Sequence, residues 1–379
     1  KGCCRMDKRV ILAVAGAGKT YHICHTIDPR KRNLILAYTN ENIHNIQKEL
    51  CDAHGMIPEL TTVMTFDSFV YRDMILPYEP SIGEHFGCPT FISCGICTIE
   101  PPPMQRVNDF GKKFPNPKYI SKDKLGHYIT KQGQYYCATL SELVLQVKKG
   151  RESLIKRIAK RLNLFFDYVL IDEFQDFREH DYDLIMALAK QLNHILLVGD
   201  YYQHSVSATN NSGKPFKKRN KDVSYNDFLA EFKQAGFKVD VTTLEKSRRC
   251  SVDICNFVCQ KLGICITSNG DHNGSVIWAD DMAAEVLENE KIIKLVFKES
   301  SNYSFPALNW SYSKGDTVSA ACVILTEKFD SLDSNDFSIK GIPISTVNKL
   351  YVALTRSCGN LYLIKSSTFK KLKKAYIRV

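Results

Sequence analysis

Asp172, Glu173, Gln175 and Asp176 close a short apolar run in the stretch Tyr168–Phe177, Y-V-L-I-D-E-F-Q-D-F. The run is brief, partly β-branched and flanked by charge, which predicts a buried parallel strand. Polar side chains at the carboxyl end of such a strand lie where open α/β sheets bind ligands. A second apolar strand, Val10–Val14, leads into Ala13–Thr20, A-V-A-G-A-G-K-T. Gly16 and Gly18, with Ala15 and Ala17, let backbone N–H groups close around phosphates. Lys19 can reach the terminal phosphates, and the Thr20 hydroxyl suits Mg2+. Taken singly, the two stretches read as a glycine turn and an acidic helix start. On two strands in this order they imply a nucleoside triphosphate site. Asp172 and Thr20 would then hold Mg2+, and Glu173 would deprotonate the attacking water.

The elements around these residues alternate. Thr20–Ile27 is expected to be a helix aimed at the phosphates. Asn33–Tyr38 and Leu60–Thr65 read as strands, with a helix between them capped by Thr39 and Asn40. From Tyr71 the composition shifts to Pro, Cys, Gly and Lys. Leu140–Leu162 there reads as one helix with a basic face. Ile195–Asp200 is a further strand, Ser205–Asn226 a polar surface loop, and Val239–Leu244 the opening of a second block. The fold class that follows is α/β, two tandem P-loop-type domains with parallel sheets. The expected division is 1–70 with 163–238, an inserted subdomain at 71–162, and a second domain at 239–379.

The 379 residues carry a net charge of +10, which fits a polyanionic partner, and no apolar run approaches membrane-spanning length. Fourteen scattered cysteines suggest free thiols and a reducing intracellular compartment such as the cytoplasm. His85, Cys88, Cys94 and Cys97 offer soft ligands for Zn2+. Their loose spacing favours plain crowding of cysteines over a metal.

Taken in order, the stretches resemble the motif series of superfamily 1 helicases of the UvrD/Rep/PcrA type. A-G-A-G-K-T resembles motif I, Leu36–Asn40 motif Ia and Val63–Phe69 motif Ib. D-E-F-Q-D resembles motif II, and Val198–Gln203 motif III. Leu244–Cys250, Asn309–Thr317 and Leu350–Ser357 resemble motifs IV, V and VI. The resemblance implies two RecA-like domains with ATP and Mg2+ between them. Gln203 would sense the γ-phosphate, Arg249 and Arg356 would stabilise its charge from the second domain, and Gly315 would line the nucleotide. It also implies a single-stranded DNA track, with RNA left open, followed through Tyr38, Thr39, Asn40, Thr65, Phe66, Tyr201, Tyr202, Lys314 and Thr317.

Departures from the pattern accompany it. None of the residues before Ala13 is glutamine, which leaves base selectivity open. Arg249 and Ser313 are too close for the family's large insertion between motifs IV and V. Thr317 stands at a usual glutamate and Val206 at a usual aromatic. The expected function is an ATP-dependent 3′→5′ DNA helicase or translocase. The alternative is a nucleic-acid-stimulated ATPase serving a partner such as a nuclease, for example in anti-phage defence. A nucleotide switch is disfavoured because it needs no catalytic base such as Glu173.

Overall fold

The computed structural model describes residues 7–378 apart from 109, 150, 151, 178, 205–212, 220 and 312–316. The first domain begins with strand β1 (Asp7–Leu12), helix α1 (Lys19–Thr26), β2 (Asn33–Ala37), α2 (Asn40–His54) and β3 (Thr61–Thr65). After the inserted region come β4 (Tyr168–Ile171), β5 (His194–Gly199) and β6 (Lys238–Asp240). These strands form one six-stranded sheet in the order β6-β1-β5-β4-β2-β3, parallel throughout. Parallel strands buried on both faces need apolar side chains on both, and the strand pleat divides them. Val10, Leu12, Leu34, Leu36, Val169 and Ile171 face one core. Ile11, Ala13, Ile35, Ala37, Leu170 and Val198 face the other, under α1 and α2.

Among the described residues the inserted region has no core of its own. Ile75, Tyr128, Leu143, Ile158 and Leu162 join the same cluster as Val10 and Leu34. The single basic helix expected over Leu140–Leu162 is two helices, Leu140–Gln146 and Leu154–Phe165, parted by a hairpin pairing Lys148 with Ser153. The second helix buries Ile158 and Leu162, and Arg157 and Arg161 are spent over the rings of Tyr78 and Phe165. The basic face is therefore partly structural. Within the expected loop 205–226, the described residues include a hairpin, and Phe216 is fully buried against His204. Val206 lies outside the described residues.

Val239 does not open the second domain. Lys238–Asp240 adds to β1 as the sheet's edge, and the chain crosses over only afterwards. The second domain's strands Val276–Trp278, Ile293–Val296, Ala307–Asn309, Ala321–Ile324 and Leu361–Ile364 form another parallel sheet, ordered first, fifth, fourth, second, third. Helices Val252–Leu262 and Ile344–Leu354 cover one face through Leu295, Val323 and Leu363. Helix Ala283–Glu288 and helix Ser366–Leu372 cover the other. No helix among the described residues is long and apolar enough to cross a membrane.

Glu142 clips the insertion to the helix that follows the acidic stretch. Its carboxylate meets Lys122, lies 3.7 Å from His127 Nε2 and lies 3.5 Å from His180 Nε2. Burial opposes its ionisation, but hydrogen bonds from His180 and Lys122 outweigh this and hold the carboxyl down at about 2. The bond to Glu142, against some desolvation, raises His180 above 6.5. A lowered carboxyl stabilises the fold above its ordinary 4.5, and that contribution is lost as pH falls towards 2. A raised imidazole stabilises it below 6.5, and that contribution is lost as pH rises through the raised value. Glu142→Gln should cost about 1–2 kcal/mol. The deficit in thermal midpoint should be widest between pH 4.5 and 6.5 and should narrow on either side.

Candidate nucleotide site between the two domains

The loop after β1 turns through Gly16 and Gly18, whose φ angles of 71° and 81° are left-handed. Gly16 is also where the domains meet. A Cβ there would fall 2.5 Å from Arg249 Cβ and 2.9 Å from Ser247 Oγ. The Gly16 carbonyl instead accepts from Arg248 N at 2.9 Å, and Val14 N donates to Leu244 O at 3.0 Å. Ala15 and Ala17 are buried. The loop delivers Lys19 and Thr20 to the start of α1.

Thr20 Oγ1 donates to Asp172 Oδ2 at 2.6 Å, and Lys19 Nζ lies 3.3 Å from Glu173 Oε1. Burial first, and then the Glu173 charge, push Asp172 up to about 6. A hydroxyl and a carboxylate side by side form a hard oxygen pair that suits Mg2+, which prefers one or two protein oxygens with water and phosphate. Among the described residues no three His, Cys, Asp or Glu side chains gather as a metal cage. Such a cage is not what phosphate-bound Mg2+ requires.

Glu173 sits at φ 51°, a conformation uncommon for a side-chain-bearing residue. Its N–H donates to Asp172 Oδ1 at 2.8 Å, and its carboxylate accepts from Gln175 Nε2. Gln175 Oε1 in turn accepts from Asp200 N at 2.9 Å. Gly199 makes this contact feasible, because a Cβ would overlap Gln175 Oε1 at 2.4 Å. The acidic stretch and the strand end at β5 are thereby one hydrogen-bonded unit, with Gln203 buried beside it.

The second domain supplies the other wall. Arg249 Nε donates to Thr317 Oγ1 at 2.7 Å, and its Nη1 donates to Thr355 O at 3.3 Å. Arg356 is buried and donates from Nε to Val352 O at 2.8 Å. Burial, then the adjacent Arg249 charge, lower Arg356 to about 9, so it stays cationic at neutral pH. Gly16, Gly18, Lys19, Thr20, Glu173, Gln203, Arg249 and Arg356 line a single cleft of about 240 Å³. Residues of both domains thus face one another across it.

Residues 3–209, more than half of the chain, match the family model AAA_19, described as AAA domain. The chain belongs to that family. The matched span holds the P-loop, the acidic stretch and Gln203. No curated protein matches the sequence. Among solved structures, Arterivirus nonstructural protein 10 (helicase) with DNA gives a TM-score of 0.44 at 14% identity, covering 96% of this chain and 63% of that one. The same protein in a second crystal structure gives 0.44 at 13%, covering 94% and 59%. The PRRSV helicase gives 0.41 at 12%, covering 97% and 54%. The chain spans less than two thirds of each of these three.

Sequence reasoning missed several residues of this AAA domain's cleft. Tyr21, Asn42, Asn45 and Glu49 also line it. The last three recur on one face of α2, a spacing that is visible once the helix is assigned. It missed Tyr351 too, whose hydroxyl accepts from Ala15 N at 2.8 Å and donates to Asp200 Oδ2 at 3.2 Å. Asn348, one helical turn earlier, donates to His204 O at 3.3 Å.

The residues expected to follow a strand fare unevenly. Phe66 and Tyr201 cannot offer a face to a base. Phe66 is 1% exposed and packs edge-on to Phe177 at 4.8 Å. Tyr201 is 4% exposed, with its hydroxyl on Val223 O and its ring among Phe216 and Phe228. Both apolar rings are claimed by the core under the sheet. Tyr38 is 49% exposed at the end of β2. Tyr202 is half-buried, stacked on Tyr225 at 5.6 Å and edge-on to Tyr351 at 5.9 Å. Thr39 and Thr65 cap helices, accepting from Asn42 N and Ser68 N, and Asn40 is exposed. Thr317 meets Arg249, which puts it beside the nucleotide cleft. Lys314 and Gly315 lie outside the described residues.

The four candidate Zn2+ ligands are not brought together. Cys94 Sγ donates to Gln132 O at 2.9 Å, Cys88 Sγ to Phe86 O at 3.7 Å, and the His85 ring meets Phe86. No disulfide joins the described cysteines.

Tyr351→Phe tests the link between the domains, because it strands the Ala15 N–H and deprives Asp200 of a donor. The loss should be about 1–3 kcal/mol of stability, with weaker nucleotide binding, read by thermal melts with and without an ATP analogue.

Proposed function

We propose that the chain is an ATP-driven motor that moves 3′→5′ along single-stranded DNA, hydrolysing ATP with Mg2+ in the interdomain cleft. The observation that carries this reading is the meeting of Lys19, Glu173 and Gln203 with Arg249 and Arg356 across one space. In this reading Lys19 exchanges its 3.3 Å contact with Glu173 for the terminal phosphates, which frees the carboxylate to take a proton from the attacking water. Mg2+ held by Thr20 and Asp172 would neutralise charge on the phosphate oxygens. Arg249 and Arg356 stabilise charge as it develops on the γ-phosphoryl group. Loss of that group removes what draws the arginines towards the P-loop, and the cleft can open. Asn348 and Tyr351 pass the change to the segment Asp200–His204, which carries Tyr202. Tyr38 is the exposed ring best placed to stack on a base.

A second reading has its own support. With Phe66 and Tyr201 buried, the stacking surface is thinner than the motifs imply, which favours an ATPase that leans on a partner such as a nuclease to hold the strand.

Unwinding of a tailed duplex by the isolated chain separates the two readings, and steady-state ATP hydrolysis with and without single-stranded DNA tests the nucleic-acid dependence that both require. The motor predicts strong stimulation by DNA, with Glu173→Gln lowering turnover by at least about 100-fold, the scale of a lost general base. Hydrolysis indifferent to DNA but lost in Glu173→Gln would retain the site and remove the motor. Stimulation by RNA alone would replace the track.

A further inference from the structure

A cavity of about 280 Å³ lies at the opposite edge of the first sheet from the P-loop. It exists because α1 has only eight residues, a length of about 12 Å, and so covers only the upper part of the sheet face. The pleat then fixes what is left uncovered. Residues two apart on a strand share a face, and the register sets Asp7 beside His194, Arg9 beside Leu196, and Leu170 beside Leu196. One row of the cavity wall therefore sets Leu170 and Leu196 beside Arg9, with the aliphatic Ile11 two residues further along β1. The next is aromatic and polar, with Tyr168 and His194, whose rings lie 4.8 Å apart at 31°.

The polar groups do not cancel within the protein. Asp28 is engaged by Arg30, through Nε at 3.0 Å and Nη2 at 3.2 Å, while Asp7 Oδ1 lies 3.4 Å from Lys238 Nζ but makes no hydrogen bond among the described residues. Arg9 lines the same cavity and has no hydrogen-bond or ion-pair partner among the described residues. His194 Nδ1 is buried and bonded to nothing among them. A buried polar atom without a partner costs free energy that a ligand can recover. The combination is an apolar floor, a pair of rings, one unmatched cation and one unsatisfied imidazole nitrogen. That is the pattern of a small-molecule site, slightly under the usual volume of roughly 300–1,000 Å³.

We propose that this cavity binds a small planar aromatic anion. Its ring lies on Leu170 and Leu196 against Tyr168 and His194, and its carboxylate or phosphate pairs with Arg9. The site is separate from the nucleotide cleft, which lies at the other end of α1 and shares none of these residues.

The test titrates the full chain with benzoate, indole-2-carboxylate and 2-naphthoate, following the imidazole NMR signals of His194 and His22. At least one carboxylate should bind saturably and shift His194. Indole-2-carboxamide, or the Arg9→Gln variant with the acid, should bind about tenfold more weakly, as expected for one lost charge-assisted hydrogen bond. Leu196→Phe fills the cavity and should abolish binding, while Lys19→Ala should leave it unchanged. Arg9 is exposed, so Arg9→Gln keeps the comparison available if Leu196→Phe fails to fold. Absence of saturable binding by all three acids, or equal binding to Arg9→Gln, overturns the proposal.

Discussion

The buried hydroxyl of Tyr351 is shared between the P-loop amide of Ala15 and the Asp200 carboxylate, and the arrangement of the cleft depends on this contact. An amide donor and a carboxylate, both dry, must each be satisfied or the interface costs free energy. One phenol from the second domain serves both. Burial holds Asp200 up at about 6, so this bond lies in surroundings where a missing partner is expensive. Docked in this way, helix Ile344–Leu354 fixes the height of Arg356, which follows two residues after its end. The close approach at Gly16 fixes Arg249 in the same fashion.

Charge in the cleft is arranged to await an anion. Lys19, Arg249 and Arg356 converge, and the lowered value of Arg356 records how poorly burial and a neighbouring cation suit it. On the facing side Asp172 and Glu173 repel one another, and Asp172 rises for that reason as well as from burial. A triphosphate with a divalent cation, as proposed, would relieve both strains by setting phosphates against the cations and the metal against the carboxylate. Such a cleft is electrostatically better matched to a metal-bound polyanion than to itself. That is how a preorganised catalytic environment is built.

Much of the candidate cleft was legible because the residues that line it are local in sequence. Gly16, Gly18, Lys19 and Thr20 are consecutive or nearly so, and the acidic residues close a strand whose burial its own composition announces. The parallel sheets followed from the alternation of apolar strands and helices. Illegible features depend on tertiary packing. Phe66 and Tyr201 look like stacking rings in a motif, but an aromatic beside a sheet edge turns inward whenever the core beneath has room, and here it does. Val239 looked like a new beginning because its strand is short and isolated, whereas an edge position on β1 was open to it. Tyr351 lies within the stretch Leu350–Ser357, yet its role depends on Ala15 and Asp200 lying one hydroxyl apart in the fold. The split of Leu140–Leu162 into two helices could have been suspected from Gly150 and its flanking lysines and arginine.

On the proposed function, the second domain completes the first domain's site for catalysis more than for binding. Measuring ATP affinity at equilibrium and hydrolysis in a single turnover, for wild type and Arg249→Ala, tests it directly. Arg249→Ala should keep affinity within about tenfold of wild type and lower the hydrolysis rate about 1,000-fold or more, the scale of a lost transition-state arginine. A variant that hydrolyses bound ATP at close to the wild-type rate would contradict it, and would place the chemistry wholly within the first domain.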